Sequence, residues 1–286
     1  MDSKRIFIDQ DIYVDDEVLP DTYSIKIKSN NMNLIGAILT PGGKGKKGTV
    51  IILHGFPGYE DNHDIAHSLR RCGLNVVIFH YRGSWGVDGK FSFSHCIEDV
   101  KSVIDYVCKE EIIKKYNIDK NNIYLVGHSM GGFLALTHCN DSRIKATVAI
   151  SPYDFGLKGC IMKECKEELN DGIEMFTSAM EPLNGTNTME LIDECLSHGE
   201  KWNLQNKADK LAKENLLIIG AKKDVIGPIE LHYTPLVNEI NKYENKLKTL
   251  MIDTDHSYSN KRIYLTKMIA EYIEDMYKNK FRGSVN

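Results

Sequence analysis

The sequence predicts an α/β protein built around a mostly parallel sheet, and three observations carry that expectation. Short, almost wholly apolar runs recur from residue 50 to residue 252. Segments with helical periodicity separate them. One interval, residues 152–215, contains no strand and is about twice as long as a crossover needs. Strands that are apolar throughout are covered on both faces, as in a parallel sheet, and alternating strands and helices give right-handed crossovers.

The elements follow in order. Tyr23-Ser-Ile-Lys-Ile-Lys28 alternates with period two, Ser29-Asn-Asn-Met-Asn33 is rich in turn formers, and Leu34-Ile-Gly-Ala-Ile-Leu39 runs to Pro41-Gly-Gly. That pattern predicts an antiparallel hairpin at a sheet edge. The apolar runs are Val50–Leu53, Val76–Phe79, Ile123–Val126, Ala146–Ile150, Leu216–Ile219 and Leu247–Ile252. Between them, Ile97 to Tyr116 sets Ile97, Val100, Val103, Ile104, Val107 and Cys108 on one helical face. Ile263 to Met276 does the same with Ile263, Leu265, Met268, Ile269, Tyr272, Ile273 and Met276. Within 152–215, helical stretches are expected near Met162–Glu168, Ile173–Met180 and Met189–His198, as a cap inserted over the carboxyl edge of the sheet. The whole of 1–286 reads as one domain carrying that insertion.

Composition excludes several classes. The 286 residues are 42% apolar and 27% charged, with 36 basic and 40 acidic side chains and a net charge of -4. That is a globular composition, and no basic cluster interleaved with aromatics points to nucleic acid. No window reaches the ~18 uninterrupted apolar residues of a membrane span. Met1-Asp-Ser-Lys-Arg5 leads into a strand-like stretch without the apolar core of a signal peptide. The seven cysteines are odd in number and scattered, which argues for buried or incidental thiols in a reducing, cytoplasmic setting. Homo-oligomerisation is compatible with the sequence and is not specified by it.

The chemistry concentrates at strand ends. Gly127-His128-Ser129-Met130-Gly131 has the form Gly-x-Ser-x-Gly, directly after the run Ile123–Val126 and before the helical run Phe133-Leu-Ala-Leu-Thr-His138. Strand, tight turn and helix form the setting of a nucleophile elbow, which projects a serine Oγ above the sheet. A nucleophilic serine needs a base and an oriented imidazole. His256 follows the last apolar run and Asp224 follows the one before it, so both open at the edge that carries Ser129. Asp253 and Asp255 are rival acids. The oxyanion of an acyl transfer needs two N–H donors, which the sequence supplies at Met130, after the nucleophile, and at Phe56, in His54-Gly-Phe-Pro-Gly58. Tyr153, Met175 and Phe176 are candidate pocket residues, with Met162 and Met180 as further apolar lining or plain core.

Other patterns have blander readings. His63-Asp-Ile-Ala-His67 imitates a helical zinc motif but carries Asp in place of the Glu and has no third ligand, so a polar helix start is expected. Arg82 could receive a substrate carboxylate, although an ion pair with an acidic neighbour is the commoner arrangement. His54 and His128 are expected to serve the turns in which they lie. No metal and no organic cofactor is expected.

Taken together, His54-Gly-Phe-Pro-Gly58, Tyr81-Arg-Gly-Ser-Trp-Gly86, Gly127–Gly132, Asp224 with Pro228, and Asp255-His-Ser-Tyr258 resemble the α/β-hydrolase superfamily. The nearest resemblance is to its cinnamoyl/feruloyl esterase-like, monoacylglycerol lipase-like and serine aminopeptidase-like branch, over about residues 22–280. That resemblance implies an eight-stranded sheet with strand two antiparallel and a helical cap between strands six and seven. It also implies triad roles for Ser129, Asp224 and His256. No β-propeller precedes the hydrolase region, so a large oligopeptidase is not expected. The expected function is hydrolysis of a small-to-medium carboxylic ester through an acyl-enzyme. The alternatives are an amidase or small-peptide aminopeptidase, with Glu164, Glu167, Glu168, Asp171 or Glu174 receiving a substrate amine, and a ligand receptor on the same fold.

Overall fold

In the computed structural model, which describes residues 17–282, eight strands form one sheet. They are β1 (Asp21–Ser29), β2 (Met32–Thr40), β3 (Lys47–Leu53), β4 (Asn75–Phe79), β5 (Ile118–His128), β6 (Ile144–Ile150), β7 (Leu216–Ala221) and β8 (Lys248–Ile252). The spatial order is β1-β2-β4-β3-β5-β6-β7-β8, with β2 antiparallel to both neighbours and every later pairing parallel. The expected hairpin is the β1–β2 pair, at the sheet edge. The N-terminal stretch expected to be strand-like lies outside the described residues.

The uniform apolarity of the strands reflects burial on both faces. Ile51, Leu53, Ile123 and Leu125 point into one core, while Val50, Ile52, Tyr124 and Val126 point into the other. The first core is closed by helices α2 (Phe93–Val107), α3 (Glu110–Lys115) and α4 (Met130–His138), the second by α1 (His63–Arg71) and α11 (Arg262–Arg282). Between β6 and β7 lie α5 (Phe155–Glu164), α6 (Lys166–Ser178), α7 (Thr188–Trp202) and the short α8 (Ala208–Leu211). Helices α9 (Ile229–His232) and α10 (Thr234–Ile240) join β7 to β8.

Two helix boundaries differ from the sequence expectation, each for a local reason. The segment expected as one helix over 97–116 starts earlier, where the Ser92 hydroxyl accepts His95 N–H, and breaks after Cys108. Lys109 is extended there, and α3 restarts with Glu110 and Glu111 in its first turn and Lys114 and Lys115 in its last, in favourable register with its dipole. The stretch expected over 162–168 is likewise split, because Cys165 takes an extended conformation between α5 and α6.

The topology positions the site. From β3 the chain moves one way to β4, and β5 then lies on the other side of β3. The carboxyl ends of β3 and β5 therefore flank a switch point, where open α/β sheets leave a crevice.

Arg82 lies in the loop after β4 and is 5% exposed. Its Nε donates to Asp99 at 2.6 Å, and one guanidinium nitrogen donates to Glu98 at 2.7 Å and to the His95 carbonyl at 3.1 Å. Ser29 adds a hydrogen bond to Asp99 at 2.7 Å, so the cluster ties β1, the β4 loop and α2 together. Of the two readings of Arg82, the geometry gives the ion pair. Arg82→Met should strand the buried Asp99 carboxylate and cost roughly 3–5 kcal/mol of stability. Urea denaturation measures it, and a loss under 1 kcal/mol would remove the structural role.

Candidate active site

Ser129 follows β5 directly, with φ 56° and ψ -116°, a conformation that side-chain-bearing residues seldom adopt and that costs about 1–3 kcal/mol. Its N–H donates to the Ile150 carbonyl at 2.9 Å, and its carbonyl accepts from Phe133 and Tyr153. The sharp turn requires bare backbone on either side. A Cβ on Gly127 would lie 1.9 Å from the Gly131 carbonyl oxygen, and one on Gly131 would lie 1.9 Å from that of Leu53. Helix α4 behind the serine is buried along Met130–Leu136, so it is a central helix fixed on all sides.

Ser129 and His256 line one cavity of about 230 Å³, with Gly55, Phe56, Tyr153, Met175 and Ile226 among its walls. His256 Nδ1 is 2.7 Å from Asp224 Oδ2. The other oxygen, Oδ1, accepts the N–H groups of Ile226 at 3.0 Å and Gly227 at 2.7 Å. Burial alone would push the Asp224 carboxyl up. The His256 hydrogen bond and charge, the Gly227 N–H and the Ser151 hydroxyl outweigh it and hold the group below its ordinary 3.8. An ionised carboxylate only accepts, so Nδ1 carries the proton and Nε2 of a neutral His256 keeps its lone pair. The rival acids are engaged elsewhere: Asp253 pairs with Lys223 at 3.0 Å, and Asp255 accepts from Ser259.

Met130 is the first residue of α4, where an N–H has no intrahelical acceptor, and Phe56 is in the cavity wall. Phe56 precedes Pro57 through a cis peptide bond, and Gly55 comes so close that a Cβ there would sit 3.2 Å from Ser129 Cβ. Of the three expected pocket residues, Tyr153 and Met175 line the cavity. Phe176 is instead fully buried, packed against Phe56, Phe93 and Phe155, so it backs the wall from behind. Successive helix residues point about 100° apart, and both are apolar, so sequence could not tell which faced inward.

The two histidines expected to serve their turns brace the site. His128 donates from Nε2 to the His256 carbonyl at 2.8 Å, and burial followed by the His256 charge pushes it down to about 3, so it stays neutral. His54 meets its own turn through Nδ1 and the Gly55 carbonyl at 2.8 Å. Tyr258 closes the same region, its hydroxyl 2.9 Å from Ser151 Oγ. Among the described residues, His63 and His67 form no three-ligand group with other His, Cys, Asp or Glu side chains. No helix among them is long and apolar enough to cross a membrane.

A serine, an imidazole with a free lone pair and nearby backbone N–H groups are parts that acyl transfer can use. Comparison with known proteins bears on the fold. A family model described as serine aminopeptidase, S33, matches residues 44–156, which include Ser129 but neither Asp224 nor His256. Hydrolase phmG of Phaeosphaeria nodorum is 37% identical over 94 residues, 32% of this chain, and the match spans only 17% of that protein. Among solved structures, the esterase Pf2001 of Pyrococcus furiosus aligns with a TM-score of 0.66 and 19% identity over 90% of this chain and 91% of its own. Est1E of Butyrivibrio proteoclasticus gives 0.64 and 18% over 89% and 98%. An acylaminoacyl peptidase of Pyrococcus horikoshii gives 0.67 and 17%, covering 90% of this chain and 41% of that one. At such identities the structures speak for the fold, which is the α/β-hydrolase fold. The family match spans less than half of the chain, so it stands as a similarity over residues 44–156 beside that fold.

Because the Asp224 value is lowered in the folded chain, the stabilisation it gives is fully present above the ordinary 3.8 and lost as pH falls through the folded value. Asp224→Asn should therefore lower stability at pH 7 and converge on wild type in strong acid. Chemical denaturation at a series of pH values measures this. A difference that grows toward acid would contradict the ionised pair.

Proposed function

We propose that this protein is a serine hydrolase that cleaves a small-to-medium carboxylic ester, with Ser129 as nucleophile, His256 as base and Asp224 as the orienting acid. The observation that carries the reading is the Asp224–His256 bond at 2.7 Å, its imidazole opening onto the cavity that holds Ser129. His256 Nε2 takes the Ser129 proton as Oγ attacks the acyl carbon. The N–H groups of Phe56 and Met130 receive the oxyanion, where the helix terminus also favours negative charge. The imidazolium returns its proton to the departing alcohol, and a water deprotonated by His256 then releases the acid.

In this reading residues 152–215 form a cap on a single catalytic domain and supply part of the pocket through Tyr153 and Met175. The scattered cysteines support a cytoplasmic setting. An amidase or small-peptide aminopeptidase would use the same groups. The matched family description favours it, as do Glu168 and Asp171 beside the neighbouring cavity. Glu168 is already paired with Lys158, however, which leaves the ester reading ahead.

Hydrolysis of p-nitrophenyl acetate, butyrate and octanoate, set against aminoacyl anilides, tests the proposal. Two further methylenes in an apolar cavity should raise kcat/KM for butyrate over acetate by about tenfold. Ser129→Ala should lower kcat by about a million-fold and Asp224→Asn by about ten-thousandfold. Wild-type turnover in Ser129→Ala would end this assignment, and faster anilide than ester cleavage would move it to the amidase.

A further inference from the structure

A second cavity, of about 360 Å³, lies alongside the first, and Tyr153, Met175 and Ile226 line both. Its far wall brings in Lys158, Glu168 and His232, the last at the end of α9 and 3% exposed. The His232 ring packs on Tyr153, with centroids 4.3 Å apart, and Tyr153 N–H donates to the carbonyl of Ser129. The second cavity is therefore built directly onto the elbow.

The tautomer of His232 follows from its partner. Its Nδ1 accepts the Asp154 N–H at 3.1 Å, so the ring proton is on Nε2. Asp154 is itself immobilised, with its carboxylate accepting N–H from Gly156 at 2.9 Å, Leu157 at 3.0 Å and Leu204 at 2.8 Å. Burial pushes the imidazole down to about 3, so the ring is a neutral donor. That donor, Nε2, is buried and has no hydrogen-bond partner among the described residues. Buried N–H groups are rarely left so, and one beside a cavity is expected to meet a ligand acceptor.

The charges around it narrow the ligand. Lys158 is 8% exposed and ion-paired with Glu168, so its cationic head is already compensated. Asp171 is exposed at the rim. Between the apolar walls of Met175, Ile226 and Leu231 the cavity offers neutral donors, the His232 ring and the Tyr153 hydroxyl, and no uncompensated cation among the described residues. A carboxylate entering it would be desolvated without a countercharge.

We propose that this second cavity is a specificity pocket that takes an apolar arm of the substrate ending in a neutral hydrogen-bond acceptor, a ketone, ether or ester oxygen, bound by His232 Nε2–H. The proposal rests on the ester-hydrolase reading for which molecule enters. The hydrogen bond itself is independent of turnover.

The test compares matched esters in both arms: p-nitrophenyl hexanoate, 5-oxohexanoate and the glutaric half-ester for the acyl arm, and hexyl against 5-oxohexyl butyrate for the alcohol arm. In one arm the ketone should exceed its alkyl partner in kcat/KM by about fivefold to tenfold, the worth of one neutral hydrogen bond, and the carboxylate should gain nothing. His232→Asn keeps an oxygen for the Asp154 N–H and deletes the Nε2 donor, so the ketone-to-alkyl ratio should fall to near one. Leu231→Trp, which fills the cavity, should abolish the ratio by a separate route. A ketone preference that survives both variants, no ketone preference in either arm, or a preference for the carboxylate overturns the proposal. If no ester turns over, the ester-hydrolase reading fails by itself. Calorimetric binding of the same ketone and alkyl esters to Ser129→Ala, with and without His232→Asn, then decides the pocket by the same ratio.

Discussion

The contact on which the rest depends is the approach of the first turn of α4 to the ends of β3 and β5. Gly127 and Gly131 are each within 1.9 Å, measured from an added Cβ, of a backbone carbonyl across that junction. Any side chain at either place would lift the helix from the sheet. With the helix seated, Ser129 is held at positive φ, the Met130 N–H points out of the helix start, and the loop after β3 is brought against the serine through Gly55. The strain at Ser129 persists because strand, helix and the Ile150 and Tyr153 hydrogen bonds over-determine it.

A second layer of constraint holds the imidazole. His256 sits in a loop after a short strand, and such loops are mobile unless their backbone is tied down. Here the His256 carbonyl is held by a buried neutral His128, its ring by Asp224, and the following turn by Tyr258 against Ser151. Asp224 is in turn clamped by two N–H groups of its own loop. Asp224, His256 and Tyr258 are each hydrogen-bonded on the side away from the cavity, which leaves Nε2 as the free side of the imidazole. In the proposed function, this bracing would fix the reacting groups before substrate arrives.

Much of the sheet was legible because its strands are buried on both faces and so read as unbroken apolar runs, and the hairpin because its alternation meets turn formers at Ser29–Asn33. Ser129, Asp224 and His256 could be singled out because parallel strands bring the residues after them to one edge. What escaped depends on partners distant in sequence. Asp154 caps α5 and also reaches Leu204, fifty positions on, and it fixes a histidine 78 positions away. The break at Lys109 is a local turn to extended backbone within a smooth helical pattern, and the inward turn of Phe176 depends on tertiary packing. His232 has no motif, and at His128 the Gly-x-Ser-x-Gly motif leaves the residue type open; only three-dimensional contact shows what each ring nitrogen meets.

The measurement that tests the central claim most directly is to treat the protein with a fluorophosphonate and locate the adduct by peptide mass mapping. The account predicts one equivalent of phosphonyl group on the peptide that contains Gly127–Gly132, attached at Ser129, and slowed attachment when Asp224 is replaced. Modification at another residue, or none while the protein remains folded, would contradict it.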